Sequence, residues 1–405
     1  MLFSEVTMNW ETLYCPNHDC QYYGVPFSNS QLVRNGTSHG QPQALCRACG
    51  RSVSVRYGTA YWDLNTEPAI FETAIRALAE GNSLRSTARI VQIDKDTACD
   101  WLTRAAQHCR LVMLSLWRAL PVTECQLDEL WSFVHTKENH LEAAKLFCMT
   151  YGDAWVWIAF APVWRLVLAF VVGKRTQASA NLLLERVKQV TDEGIPFFTS
   201  DQLSAYRTAL LHVYGHWYQP ARQGTRGRHP ARRRVPPAEL LYAQVVKQRK
   251  RGEVVAVTTK VVFGDTETIA ARLRALPTST TINTSFVERE NLTLRQYNQR
   301  LARKTNGFSK DLTWLEKQLW LSLAYYHLIL PHDSLRQLLE LPEPTRGNGS
   351  KRRWRAITPA MAAGITDHVW TITELLSYRV PASFLDGLHT LEHLFPSFDV
   401  VHQGS

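Results

Sequence analysis

The spacing of apolar residues changes along the chain and divides it into a helical and a mixed region. From Glu67 to Cys109 the apolar residues recur every three or four positions, which is the period of an amphipathic helix. Residues 125–218 instead contain short apolar runs around two amphipathic segments, at 176–191 and 203–211. The runs are Leu130–Val134, Trp155–Ala161, Leu166–Val172 and Ile195–Phe198. This second pattern predicts an α/β domain with buried strands.

The stretch 219–251 differs from both regions. It combines four prolines with a series of arginines, which predicts an exposed basic insertion and not a core element. A solvated loop without a partner is the alternative. An apolar strand over Val254–Phe263 then returns the chain to the fold, and we expect helices from about Thr284 to Lys304 and from Leu312 to Leu330.

The end of the chain is predicted to be a linker and a packed tail. A Gly/Ser/Arg linker covers Arg346–Arg353 and follows Pro342. Beyond it, Trp370, Leu375 and Leu376 are apolar enough to pack on the main body. The role of this tail does not follow from its sequence.

The charge balance favours a polyanionic partner. The chain has 46 Lys and Arg against 36 Asp and Glu, a net charge of +10, and a pI near 9.2. Basic side chains that contact phosphates release counterions, which favours binding to nucleic acid. A soluble protein that is merely basic remains the alternative. The first residues lack an export signal, and the apolar runs are shorter than the ~20 residues of a membrane span, so we expect a cytoplasmic protein without a membrane partner.

Paired cysteines near the N-terminus predict a structural zinc site. Cys15 and Cys20 form one pair, and Cys46 and Cys49 form the second. Each pair can supply two adjacent corners of a tetrahedral zinc site, with His18 as a possible substitute ligand. Four unrelated reduced cysteines are the alternative. The remaining cysteines lie in apolar contexts and are expected to be small core residues: Cys99, Cys109, Cys125 and Cys148.

The segment Leu84–Cys109 predicts two helices around a short turn. Ser83 or Asn82 can cap the first helix, and Asp94 can cap the second. In the second helix the expected core residues are Ala98, Trp101, Leu102 and Ala105, which leaves Lys95, Thr97, Thr103, Arg104 and Gln107 on an outward face. Such a face can enter a major groove, as in a helix-turn-helix protein. An ordinary helical hairpin with a solvated face is the alternative.

Three acids from distant segments are candidates for a metal site. Asp128 lies near the start of a strand, and period-2 alternation places Glu129 on the opposite face. Asp201 ends the apolar strand that begins at Phe197, and Glu288 lies on a predicted helix. On that helix Glu288, Asn291, Leu292 and Arg295 share a face, whereas Glu290 points elsewhere.

Together these carboxylates can hold two Mg²⁺ ions for in-line chemistry at phosphorus. Taken singly, Asp128 can be a surface residue, Asp201 a helix cap, and Glu288 the salt-bridge partner of Arg295. In the order strand, strand, helix, they match the ribonuclease-H-like arrangement of polynucleotidyl transferases.

Four sequence runs resemble bacterial insertion-sequence transposases of the IS-one type. They are Asp128–Trp131, Thr199–Tyr206, Val287–Arg295 and Arg300–Lys310. The resemblance covers most of residues 12–330, with cysteine pairs, paired helices and catalytic domain in the same order. The basic insertion and the tail beyond residue 345 depart from the family's pattern.

The resemblance implies a catalytic triad of Asp128, Asp201 and Glu288, with Glu290 as a rival for the third acid. It implies two Mg²⁺ ions, replaceable by Mn²⁺, and a structural Zn²⁺. The implied partners are double-stranded DNA, at element ends and target, and further copies of the chain in a homodimer or larger synaptic complex. Arg295 is a candidate phosphate contact. The implied location is the bacterial cytoplasm, in association with the nucleoid.

The predicted architecture therefore has four parts. A zinc ribbon covers residues 1–60, a helix-turn-helix domain covers 61–120, and a ribonuclease-H-like domain with its basic insertion covers 121–335. The linker and tail cover 336–405. Two other functions remain open: a sequence-specific DNA-binding regulator with an inert α/β domain, and a nuclease of the same fold that cuts without strand transfer.

Overall fold

The structure is a computed structural model that describes residues 9–141, 151–222, 229–251, 253–345 and 349–398. Cys148, part of the basic insertion and part of the predicted linker lie outside the described residues.

The N-terminal part is a small antiparallel sheet. Its strands are β1 (Leu32–Ser38), β2 (Gln41–Cys46) and β3 (Ser52–Ser54), in that order. Leu13, Leu32 and Val53 form its apolar core together with buried cysteines. A core this small cannot stabilise a sheet alone, which is why such modules depend on a metal or on packing against a neighbour.

Three helices follow the small sheet: α1 (Pro68–Ala79), α2 (Leu84–Val91) and α3 (Lys95–Leu116). The predicted caps are confirmed. The Ser86 amide donates to Ser83 Oγ at 3.1 Å, and the Asp96 amide donates to Asp94 Oδ1 at 2.7 Å. The predicted core residues of α3 are all buried: Ala98, Trp101, Leu102 and Ala105.

A mixed six-stranded sheet forms the centre of the molecule. The strands of this region are β4 (Glu124–Val134), β5 (Gly152–Ala161), β6 (Leu166–Gly173), β7 (Phe197–Asp201), β8 (His216–Tyr218), β9 (Arg233–Val235), β10 (Tyr242–Lys250) and β11 (Glu253–Phe263). The order in the sheet is β11-β10-β7-β4-β5-β6. Neighbours are antiparallel except that β7 runs parallel to β4 and to β10. β8 and β9 form a separate hairpin.

The helices that cover the sheet are α4 (Gln177–Val190), α5 (Ser204–Val213), α6 (Thr266–Ala275), α7 (Ser285–Tyr297) and α8 (Leu312–Leu328). α8 is buried on almost every side and contacts α3 and β6, as expected of a helix that is apolar all round. The expected helices at 176–191, 203–211 and Leu312–Leu330 are therefore confirmed.

Two sequence predictions are wrong in this region. The stretch 219–251 is not entirely an exposed insertion, because β10 is an inner strand whose first half, from Tyr242, is buried against β7. The helix expected to reach Lys304 ends at Tyr297. Asn298 is buried, and its Oδ1 accepts a hydrogen bond from the Arg300 amide at 3.0 Å, a local bond that replaces helix pairing.

The C-terminal part contains β12 (Gln337–Glu343), β13 (Arg352–Arg355), α9 (Pro359–Ala362), α10 (Ile372–Ser377) and α11 (Ala382–Gly387). The packing predicted for Trp370, Leu375 and Leu376 is confirmed, since all three are buried in the main core. The backbone joins these parts as well: the Ala60 amide donates to Leu376 O at 2.9 Å. Within the described ranges, no helix is long and apolar enough to cross a membrane.

Candidate functional site

The four paired cysteines converge. Cys15 and Cys49 Sγ atoms lie 3.6 Å apart, and Cys20 and Cys46 Sγ atoms lie 3.8 Å apart. All four sulfur atoms lie within 4.8 Å of one another. Zn–S bonds of ~2.3 Å require tetrahedron edges of about 3.8 Å, so the spacing fits a zinc ion. The cluster can hold this metal without His18, whose ring lies 4.1 Å from the ring of Tyr23.

The backbone next to Cys49 favours the thiolate form of this one residue, whereas burial raises the pKa of Cys15 to about 12. Gly50 has a φ of 76°, a conformation that suits glycine, and its amide donates to Cys46 O at 2.7 Å. This turn aims the Arg51 amide at Cys49, which lowers the pKa of that thiol to about 6. Thiolates are the form that binds zinc.

Asp128 and Asp201 occupy adjacent strands at the centre of the sheet. The parallel register pairs Leu127 with Ser200, which brings the next residue of each strand, the two aspartates, to neighbouring positions. Asp128 accepts hydrogen bonds from the Glu129 amide at 2.9 Å and from Asn291 Nδ2 at 2.7 Å. Burial is the main cause that raises the pKa of Asp128 to about 7, and the charges of Glu129, Asp201 and Glu288 raise it further.

Glu288 lies in the first turn of α7 on the side of Asp128. Its Oε1 accepts a hydrogen bond from Thr284 Oγ1 at 2.8 Å and forms an ion pair with Lys247 of β10. Asn291 and Arg295 follow at helical spacing on the same face, as the sequence predicts. Arg295 is close enough to Asp128 to be influenced by its charge, and Arg295 Nε has no hydrogen-bond partner among the described residues.

Glu290, the rival of Glu288, points into the protein interior. It is 2% exposed, and burial raises its pKa to about 8. Tyr326 of α8 is the group that faces it. Glu288, and not Glu290, is thus near enough to Asp128 for its charge to raise the pKa of that carboxyl group.

The carboxylate oxygens of the three acids do not all lie within 4.8 Å of one another. In the part of the chain that the structure describes, the four cysteines are the only group of three or more His, Cys, Asp or Glu residues whose ligand atoms all lie within 4.8 Å of one another. The Lys247 ammonium instead neutralises Glu288.

Glu129 adds a fourth acid behind the site. Its Oε2 accepts a hydrogen bond from Arg175 at 2.8 Å, and its pKa is raised, chiefly by burial. Glu129 contacts the Tyr206 side of α5, whereas Asp128 bonds to α7, so the predicted opposite orientation of these two acids is confirmed. The sequence did not indicate roles for Glu129, Lys247 or Asn291. The sequence placed Asn291 on the correct helix face. Lys247 could not be distinguished from the other basic residues of the stretch 219–251.

The outward face predicted for α3 is partly exposed, and several of its side chains have partners in other segments. Lys95 is exposed, and Thr97 is half-buried. Thr103 Oγ1 accepts a hydrogen bond from Lys317 Nζ at 3.1 Å, Arg104 donates to Trp62 O, and Gln107 Oε1 lies 3.5 Å from the Phe398 amide. These last three residues are only partly exposed, because α8, the segment before α1 and the C-terminal tail contact them.

Comparison with known proteins adds little. No model of a known protein family matches the chain, and no curated protein matches it. One solved structure that it resembles is the Mos1 transposase paired-end complex with left transposon end, at 12% sequence identity and a TM-score of 0.16. The match covers 37% of this chain and 59% of that one. At so low a score it carries no structural argument.

Proposed function

We propose that the chain is a DDE transposase of the insertion-sequence type, with a ribonuclease-H-like catalytic domain behind a zinc ribbon and a helix-turn-helix. The observation that carries this proposal is the placement of Asp128 and Asp201 side by side on central strands, with Glu288 on a helix above them. The three acids thus follow the order strand, strand, helix, which is the order in the transposase family that the sequence resembles.

Asp128, Asp201 and Glu288 would hold two Mg²⁺ ions, with Mn²⁺ as a substitute. Carboxylate oxygens are the ligands that these ions prefer. Bound there, the ions would activate the attacking oxygen and stabilise the leaving oxygen at phosphorus. The raised pKa of Asp128 fits such a role, because a buried carboxylate without a cation is costly to ionise.

The other residues around the acids would position them. Asn291 donates to one oxygen of Asp128 and the Glu129 amide donates to the other, which fixes the carboxylate plane. Lys247 holds Glu288 before metal binds. Arg295, which is near enough to Asp128 for their charges to interact, would contact a non-bridging oxygen of the DNA phosphate.

DNA binding is assigned to the N-terminal modules. The capped start of α3, with Lys95 and Thr97, is the accessible part of the proposed recognition helix. The zinc cluster would stabilise the small sheet before it. Strand transfer at two element ends requires a homodimer or a larger assembly, which we propose by analogy with the family.

The test is DNA cleavage by Glu288→Gln. A plasmid carrying the DNA that flanks the coding sequence is incubated with the full chain and Mg²⁺ or Mn²⁺, and nicked and joined products are resolved on a gel. We expect Glu288→Gln to abolish both products while its affinity for end DNA is unchanged. Retained strand transfer would contradict the assignment of Glu288.

Glu290→Gln is the matched control, since it makes the same chemical change two residues away. Its cleavage should persist. Binding of end DNA by the wild-type chain without any metal-dependent nicking would favour the DNA-binding regulator. Hydrolysis without joined products would favour the nuclease.

A further inference from the structure

The hairpin of β8 and β9 stands outside the main sheet and carries an exposed tryptophan. Trp217 lies directly opposite Arg234 in the pairing of these strands. The Arg234 guanidinium lies 5.2 Å from the ring centroid of Trp217, and that of Arg232 lies 5.5 Å away. The tryptophan nevertheless remains 56% exposed. A large aromatic ring held by two cations and open to solvent is unusual unless it meets a partner.

The chain around this hairpin contains no acid. Between Asp201 and Glu239, 37 residues include seven arginines and no lysine, aspartate or glutamate. In the described part of the chain, no salt bridge involves Arg222, Arg232, Arg233 or Arg234. Exclusive use of arginine favours planar hydrogen bonding to phosphate and stacking on rings.

The hairpin is fixed to the helix that begins next to the acid site. α5 starts three residues after Asp201 and ends at Val213, and Arg234 donates to Leu211 O in its last turn at 3.2 Å. Gln219 Nε2 also donates to Pro230 O at 2.7 Å, which closes the base of the loop. The ten residues of α5 span about 15 Å, or roughly four to five nucleotides at 3.4 Å each.

We propose that the β8–β9 hairpin binds an unpaired DNA strand that flanks the cleaved phosphate, with a base stacked on Trp217 and phosphates held by Arg232 and Arg233. The proposal rests on the proposed function, because it assigns to this hairpin the strand released near the acids. Base stacking on an aromatic ring tolerates any sequence, and arginine neutralises the backbone. Arg234 is a positioning residue, since it fixes the hairpin to α5 and orients the ring.

A second hairpin offers a matched control. Trp354, on β13, is 42% exposed, and the Arg336 guanidinium lies 4.5 Å from its ring centroid. It therefore resembles Trp217 in exposure and in its cation contact. It belongs to β12–β13, a separate sheet beyond α8, and we assign it no DNA contact.

The experiment measures binding of a fluorescent single strand of 20 nucleotides to the full chain in Ca²⁺, together with the fluorescence of 2-aminopurine placed at successive positions. We expect Trp217→Ala to weaken binding by roughly 5- to 100-fold, the range of one lost stacking contact, and to abolish 2-aminopurine quenching. Trp217→Phe should restore most of the quenching, and Trp354→Ala should behave as wild type.

A second variant keeps the ring and removes charge. Arg232→Gln combined with Arg233→Gln should lower the slope of log affinity against log salt by about 1.4, or 0.7 per lost phosphate contact on a single strand. Unchanged affinity and quenching in Trp217→Ala, or equal losses in Trp217→Ala and Trp354→Ala, would overturn the proposal.

Metal-dependent cleavage measured in parallel separates the two proposals. If the wild-type protein cleaves DNA but the Trp217→Ala variant binds the single strand normally, the hairpin assignment is refuted and the transposase proposal is not. Trp217-dependent quenching in a chain that never cleaves DNA would refute the transposase and leave the hairpin as a single-strand binding surface.

Discussion

The substitution Glu290→Gln tests which of two glutamates, Glu288 or Glu290, is the third catalytic acid. Glu290 is 2% exposed, its Oε1 has no hydrogen-bond partner among the described residues, and burial raises its pKa from 4.5 to about 8. Between these two pH values the folded chain retains a proton that the unfolded chain has lost. The carboxyl group therefore lowers the free energy of unfolding as pH rises, and its full penalty is present above pH 8.

Glutamine has nearly the same shape and carries no charge, so the variant escapes this penalty. The difference in free energy of unfolding, variant minus wild type, should grow by about 3 to 4 kcal/mol from pH 5 to pH 8. For a cooperative unit of about 150 to 250 residues, the difference in thermal midpoint should grow by roughly 6 to 16 °C over the same interval.

The assay is thermal unfolding followed by near-ultraviolet circular dichroism at pH 5 and pH 8, with cleavage activity measured on the same preparations. Glu288→Gln is the control, since it makes the same chemical change at a side chain that is 45% exposed. A stability difference that does not grow with pH would refute the buried-carboxyl argument. Loss of cleavage in Glu290→Gln with retention in Glu288→Gln would exchange the roles of the two residues.

Three further substitutions test other parts of the structure. Lys247→Gln removes the cation that competes with a metal ion for Glu288. Because the ion pair is partly exposed, Mn²⁺ affinity measured by calorimetry should rise only ~1.5- to 5-fold. Weaker Mn²⁺ binding would contradict this competition. Cys46→Ser should abolish the single equivalent of zinc measured colorimetrically after unfolding, and unchanged zinc content would refute the four-cysteine site. Arg379→Ala removes hydrogen bonds from the C-terminal tail to Val55 O at 2.7 Å and to Tyr57 O at 2.8 Å. Amide hydrogen exchange in β1–β3 should therefore accelerate by an amount equivalent to about 3 kcal/mol. Unchanged exchange would show that the tail does not stabilise the zinc module.

Short-range patterns predicted the local structure well. The caps Ser83 and Asp94 form the expected bonds because a side-chain oxygen beside a helix start has few other partners. The opposite orientation of Asp128 and Glu129 follows from strand geometry alone. The cysteine pairs predicted a cluster because each pair is a local turn.

Contacts between segments that are distant in the sequence could not be predicted from these short-range patterns. The second half of β10 is basic and extends beyond the end of β7, whereas the first half, which starts at Tyr242, is buried. The basic half led the sequence analysis to assign the whole stretch to an exposed insertion. The face of α3 with Thr103 and Gln107 is polar, yet each of these side chains accepts a hydrogen bond from a distant segment, from Lys317 and from the Phe398 amide. Periodicity reports which residues are polar, but not whether another polar group will pack against them.

The most direct test of the account is a crystal structure of the chain grown with Mn²⁺, with anomalous scattering used to locate the ions. The account predicts two peaks ~4 Å apart, held by Asp128, Asp201 and Glu288, with Lys247 displaced from Glu288. Absence of any peak at these carboxylates, at Mn²⁺ concentrations that support cleavage, would contradict the proposed catalytic site.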